Sequence, residues 1–285
     1  MRRLALVLLP AVLAACSTGA TGTSASAPSV ASSEISAAAS SPSGSVHAAS
    51  ATPAAHLTSH ATSGRPVIVL DPGHSPAVHA IDKATGLDVS DYANEPEMRD
   101  VFAVAQLARK KLVKDGYRVV MTKKSVGSRV SLAHRAAIAN HAHAALAISI
   151  HDQAGSAGGI GYRAGNNIVY YQSVGKYRTT PGGKKIVFTN RAIAKKSKRY
   201  AKIFRSTRAA TEHTSVRLLG DIGYNMASRG LPAGNMWMVQ LLSHVPWVYN
   251  EVGGNSAGRV GLSSADKHNY ATALVRSIEK CVPLR

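Results

Sequence analysis

Val67-Ile68-Val69-Leu70-Asp71-Pro72-Gly73-His74 is the stretch whose reading orders the rest of the chain. Its apolar run, rich in β-branched residues, is a short strand of the buried kind. Asp-Pro-Gly then stops the strand: Pro72 biases Asp71 away from helix, and Gly73 permits a sharp turn. A histidine is thereby delivered just beyond the carboxyl end of a strand, the edge at which open α/β sheets bind ligands.

What precedes this stretch does not belong to the fold. Met1 to Cys16 reads MRRLALVLLPAVLAAC, paired arginines and an apolar run that ends in small residues before a cysteine. The run is well short of the ~20 residues that span a bilayer, so it reads as an export signal rather than a retained anchor. Leu13-Ala14-Ala15-Cys16 resembles the bacterial lipoprotein signal, which implies cleavage before Cys16 and a diacylglycerol thioether on its sulfur. An ordinary secretory signal with an incidental cysteine is the alternative. Residues 17–63 are almost all Ala, Ser, Thr, Gly and Pro. With few large apolar groups they cannot offset the entropy of ordering, so they read as a flexible, disordered tether whose His47, His56 and His60 are solvated. Residues 64–285 form the folded domain. The only cysteine besides Cys16 is Cys281. A lipidated Cys16 leaves it no partner, and it is expected to be a half-buried structural residue.

The formal charge is +19. A charge of that size calls for polyanionic partners. An exported protein rarely meets nucleic acid, so none is expected; anionic cell-wall polymers or a membrane surface fit better. The basic residues gather between Lys184 and Arg208, where the alternative is a solvated helix face. A monomer is expected.

Downstream of His74, residues 75–94 read as a loop over the strand edge, with His79, Asp82, Asp88 and Asp91 at the surface. Glu95-Pro96-Glu97 opens a helix: proline suits a first turn, and acids suit the positive end of the helix dipole. Phe102, Ala105, Ala108 and Leu112 then give it an inner face, and Gly116 closes it. Tyr117 to Thr122 is a second strand, which completes a right-handed βαβ unit. Ser131 to Asn140 is a helix with Leu132, Ala136, Ile138 and Ala139 inward, and Ala145 to His151 is a third strand that also ends in histidine. A turn and strand are expected from Gly158 to Arg163, a strand over 168–172, and a long basic helix from Thr189 to about Thr211. Residues 216–234 read as irregular, and Asn235 to Leu242 and Pro246 to Glu251 as strands. Ser263 caps a last helix, with Asp266 as its reciprocal partner and Tyr270, Leu274 and Ile278 inward. The sum is α/β: a single domain with a mixed, mostly parallel twisted sheet and helices on both faces.

Two strand-end histidines suit a metal, since neutral imidazole binds zinc and a catalytic zinc takes three protein ligands with one open position. They equally suit hydrogen-bonded surface residues in a chain with 12 histidines. His134, His141 and His143 read as surface or capping groups, and Trp237 and Trp247 as core or groove-wall residues.

A wider pattern bears on the choice. Val67 to His74, Glu97, Val130-x-Leu132-x-x-Arg135 with Ile138-Ala139-Asn140, Ile148-Ser149-Ile150-His151, and Asn250-Glu251-Val252-Gly253 occur in one order. Together they resemble the zinc-dependent N-acetylmuramoyl-L-alanine amidases of the Amidase_3 type. The resemblance implies hydrolysis of the amide bond between N-acetylmuramic acid and L-alanine in peptidoglycan. By position it implies His74, Glu97 and His151 as Zn2+ ligands and Glu251 as the catalytic carboxylate. Glu95 is the competing ligand; counted back from Gly116, Glu97 puts Phe102, Ala105 and Leu112 on the family's buried helix positions, so the resemblance implies Glu97 and leaves Glu95 as a capping or supporting acid. The motif flanks differ from the family's: Ser75-Pro76 follow the first histidine where glycines are usual, Asp152-Gln153 the second, and Gly254-Asn255 the EVG. Asp152 is expected to orient a ligand histidine. Physically, Glu251 follows an apolar stretch, and partial burial raises a carboxyl pKa towards the range of a proton shuttle. Two other readings keep the fold: a membrane-tethered wall-binding lipoprotein with little turnover, and a zinc hydrolase of a different amide.

Overall fold

A computed structural model describes residues 64–152, 167–220, 237–253 and 261–285. The stretch 158–163 and the side chain of Trp237 lie outside the described residues, as do the leader and tether.

The elements run β1 (Val67–Pro72), α1 (Glu95–Asp115), β2 (Arg118–Met121), α2 (Leu132–His141), β3 (Leu146–Asp152), β4 (Asn167–Tyr171), β5 (Tyr177–Thr179), β6 (Lys185–Val187), α3 (Arg191–Glu212), β7 (Val216–Gly220), α4 (Trp237–Leu242), β8 (Trp247–Val252) and α5 (Ser264–Cys281). Six strands make one sheet in the order β2-β1-β3-β8-β4-β7. β2, β1, β3 and β8 are parallel. β4 runs antiparallel to β8, and β7 parallel to β4. The sheet is therefore mixed and mostly parallel, as the sequence predicts.

Alternation along the strands sorts the core into two layers. Ile68, Leu70, Ile148, Ile150, Val248 and Val252 pack with α1, α3 and α5. Val69, Ala147 and Trp247 pack on the other side with Leu132 and Ala139 of α2 and Met238 and Val239 of α4. By the same alternation Asp71, Ser149, His151, Tyr249 and Glu251 fall on the α2 side. The site is thus laid out before any loop is considered.

Several expectations are corrected. The inner stripe of α1 is Glu97, Val101, Val104, Ala105, Ala108 and Leu112; Phe102 is half-buried beside it. In α2, Ile138 is half-buried and Arg135 takes an inward position. The region from Val216, read as irregular, begins with β7, which finds its partner in β4. Trp237 to Leu242, read as strand, is the helix α4. A short apolar run has no period that separates the two, and packing against α2 decides for helix. The hairpin β5–β6 escaped a reading based on apolar runs because its strands are brief and polar. Asp91 is buried, 4% exposed, rather than superficial. Cys281 is fully rather than half-buried, and that burial pushes its thiol up to about 12.

α5 starts in a complete capping box: Ser263 Oγ accepts from the Asp266 backbone N–H, and Asp266 accepts from that of Ser263. Ser263→Ala should destabilise the domain by about 1 kcal/mol, seen as a fall of roughly 2–4 °C in melting temperature. An unchanged melting temperature would mean that the cap contributes nothing.

Candidate metal centre and active site

The turn that follows β1 is held from below by buried cations. Arg135 Nη1 donates to Asp71 Oδ1 at 2.7 Å and to the Pro72 carbonyl at 2.8 Å. Its Nη2 donates to the His74 carbonyl, Ser75 Oγ and Asp91 Oδ2 at 2.6, 2.7 and 2.9 Å. Lys123 Nζ donates to the Gly73 and His74 carbonyls at 2.9 and 2.6 Å. Burial lowers the Lys123 pKa to about 8. Asp71 also accepts from Thr122 Oγ1 and Ser149 Oγ, and Ser149 in turn accepts from Trp247 Nε1. His74 is left with φ +52°, a left-handed conformation in which a non-glycine residue is uncommon. Ser75, where glycine is usual in the family pattern, is buried and accepts from both Arg135 and the Val130 backbone N–H.

Glycine at 73 is a steric requirement. A Cβ there would overlap the imidazole of His151.

His74, Glu97 and His151 come together, all buried, with ligand atoms within 4.8 Å of one another. Glu97 Oε2 lies 2.9 Å from His74 Nε2, and Oε1 2.8 Å from His151 Nδ1. The carboxylate also accepts from Asn94 Nδ2 at 2.8 Å and from the Asp152 backbone N–H at 3.1 Å. It sits in the first turn of α1, where the helix dipole favours negative charge. Glu95 is exposed and pairs with Arg99 at 3.2 Å, so Glu97 alone of the two reaches the histidines.

His74 Nδ1 faces the Tyr92 carbonyl at 3.2 Å. That contact places the proton on Nδ1 and leaves the Nε2 lone pair pointing at the cluster. Burial lowers the His74 pKa to about 4 and that of His151 well below its ordinary value. Both rings are neutral at pH 7, the form that binds a metal. Burial raises the Glu97 carboxyl, against the pull of the Asp152 N–H and the Asn94 amide.

Glu251 stands beside His151 in the β3–β8 register. Its Oε1 accepts from Tyr249 Oη at 2.9 Å. The Tyr249 ring stacks on His151, centroids 4.5 Å apart and 20° from parallel. Burial, then the Glu97 charge, raises the Glu251 pKa well above that of an ordinary carboxyl. Tyr249 remains a donor, because burial and Glu251 push its phenol upward. From behind, Arg208 of α3 donates to the Glu251 carbonyl at 3.0 Å.

Sequence reasoning missed Tyr249, Lys123 and Asp91. Tyr249 was within reach, since it lies two residues before Glu251 on the same strand face. Lys123 and Asp91 carried no local signal: each is buried by a partner distant in sequence. His134, His141 and His143 are exposed, as expected.

The model of the N-acetylmuramoyl-L-alanine amidase family matches residues 68–280. The chain belongs to this family. It is an enzyme of peptidoglycan amide hydrolysis, acting on the bond between N-acetylmuramic acid and L-alanine. Among solved structures, the amidase Ami1 of Mycobacterium smegmatis is 20% identical with a TM-score of 0.53, over 76% of this chain and 97% of that one. The apo form of Ami1 from Mycobacterium abscessus is 19% identical with a TM-score of 0.50, over 77% and 99%. At these identities the two structures support the amidase fold. No curated protein matches the chain.

Gly73→Ala should push His151 out of place and weaken binding of a divalent metal ion at this cluster about 10–100-fold, measured by competition with a chromogenic chelator. Wild-type affinity in that variant would show that the ring has room to move. Acid should also act on the metal-free domain. The unfolded chain protonates His74 near 6.5, the folded one only near about 4. Stability is therefore full above 6.5 and is lost as pH falls through that window, by at most about 3 kcal/mol. In chelator, the urea midpoint of wild type should drop more across the window than that of His74→Asn; equal slopes would contradict the assignment.

Proposed function

We propose that this amidase is zinc-dependent, with His74, Glu97 and His151 as ligands and Glu251 as the proton-transfer residue. The observation that carries the reading is the buried pair of neutral imidazoles converging on one carboxylate. The donor set fits zinc: two nitrogens and one oxygen, with the His74 tautomer fixed by the Tyr92 carbonyl. When bound there, zinc supplies Lewis acidity towards the scissile carbonyl and a lowered pKa for water. Glu251 takes a proton from the attacking water as oxygen bonds to the lactyl carbonyl carbon. It returns that proton to the nitrogen of L-alanine as the C–N bond breaks. A raised pKa suits both halves of that exchange. Tyr249 holds the Glu251 carboxyl beside His151 throughout, and Arg208 fixes its backbone. Asp152 contributes its backbone N–H to Glu97.

The reading includes an exported enzyme, lipid-anchored through Cys16 to the outer face of the cytoplasmic membrane or the cell envelope and tethered by residues 17–63. Peptidoglycan is its substrate, and anionic wall polymers or a membrane surface are partners for its excess positive charge. No helix among the described residues is long and apolar enough to cross a membrane. The four groups that would do the chemistry are all present and assembled, which favours turnover over a binding role alone.

Chelation should abolish release of stem peptides from purified peptidoglycan, and Zn2+ should restore it. Glu251→Gln should keep zinc, by elemental analysis, and lower kcat by about 10²–10⁴-fold. Full activity in the variant, or activity indifferent to chelator, would refute the assignment.

A further inference from the structure

Helix α3 carries a line of cations on its outer side. Arg191, Lys195, Lys198, Lys202 and Arg205 recur at alternating steps of four and three, which keeps them on one face of an α-helix. All are exposed. The inner side is a separate set: Ser197, Tyr200, Ala201, Phe204, Thr207 and Arg208 are buried. The helix has one acidic residue, Glu212, and Arg208 engages it on that inner side. Among the described residues no carboxylate meets the outer line; Lys198 lies 5.2 Å over the Tyr171 ring and is still exposed. At 1.5 Å per residue the line is about 21 Å long.

The line continues sideways. α5 packs against α3, and its exposed Arg276 and Lys280 reach the hydroxyls of Thr211 and Thr207 on α3. On the far side of α5, α1 presents Arg109, Lys110 and Lys114 to solvent. Lys111 is paired with Asp115 and adds nothing. The outer surface of one helical layer is thus basic in two dimensions, not along one groove. No large apolar side chain of α3 is exposed, and α1 exposes only Val113, so attraction to charge rather than insertion into an apolar layer governs contact here.

We propose that the outer faces of α3, α5 and α1 form a docking surface for an anionic phospholipid membrane. A linear polymer would occupy one stripe, whereas charge spread over adjacent helices matches a plane of head groups. The tether supports the same partner. With Cys16 lipidated, as proposed above, the domain is held near the bilayer, which raises its effective concentration there. The surface deepens the anionic-partner reading given above and is independent of the zinc chemistry: His74, His151 and Glu251 lie at strand ends, and Glu97 is buried in the first turn of α1, all apart from these exposed cations.

The experiment uses the full chain with Cys16→Ser, so that no lipid anchors it, in co-sedimentation with vesicles. Binding is expected to vesicles of one part phosphatidylglycerol to two parts phosphatidylcholine, to fall as salt rises, and to be absent with phosphatidylcholine alone. The last condition also reports any contribution of the leader. Lys195→Glu/Lys198→Glu/Lys202→Glu should weaken binding on the order of a hundredfold, at about fivefold per cation. Lys83→Glu/Lys124→Glu/Arg129→Glu, which makes the same change of charge at exposed positions away from these helices, should weaken it far less. Equal losses in the two triples would overturn the surface, as would tighter binding of wild type to soluble poly(glycerol phosphate) than to the anionic vesicles. Hydrolysis of a soluble muramoyl peptide, measured in parallel, should be the same in wild type and the α3 triple, so failure of the docking surface and failure of the amidase reading are told apart.

Discussion

Arg135 turns inward from α2, and its guanidinium meets Asp71 at 2.7 Å and Asp91 at 2.9 Å, all three side chains almost wholly shielded from solvent. Such a cluster is not primarily a source of stability, because desolvation consumes much of the attraction between its charges. Its effect is positional. The hydrogen bonds that remain after the carboxylates are satisfied go to Pro72, His74 and Ser75, the chain that leaves β1. With Lys123 on the neighbouring carbonyls, the turn has few ways to relax, and a left-handed histidine is tolerated because its surroundings over-determine it.

The remainder of the site inherits that rigidity. His74 cannot swing away, so Glu97 is met at a defined place; Glu97 also takes the Asp152 N–H, which ties α1 to the end of β3. Gly73 and His151 fit face to face. Tyr249 extends the chain of contacts from His151 to Glu251. Each group is held by a neighbour that is held in turn, and the groups come from separate strands and a helix start. Residues outside the strands and helices complete the order: Tyr92 meets His74, Asn94 meets Glu97, and Asp91 and Lys123 secure the turn after β1.

Much of this was legible in the sequence, for a physical reason. Strand ends are written locally, by β-branched runs closed with Pro and Gly, so His74 and His151 stood out. Glu97 came from the family pattern rather than from its own helix: Phe102, expected on the inner face, is half-buried, and the buried stripe runs Glu97, Val101, Val104, Ala108. What failed was information that is not local. Lys123, in a polar stretch after β2, is buried because the Gly73 and His74 carbonyls of the turn after β1 meet its ammonium. Trp237 to Leu242 has helix and strand equally available until α2 supplies a surface. β5 and β6 are too brief to carry a period at all. Function needed one further step: two histidines at strand ends are compatible with much chemistry, and the order of motifs across the chain narrowed it.

The place of β8 has a consequence for the life of the molecule. Among the described strands it comes last in the chain, yet it lies between β3 and β4 in the interior of the sheet, and it carries Glu251. Until it inserts, the two halves of the sheet have no common edge, and Glu251 has no place beside His151. Synthesis from the amino end therefore makes both halves of the sheet before the strand that joins them. Topology here makes closure of the sheet and the arrival of Glu251 at its place a single event.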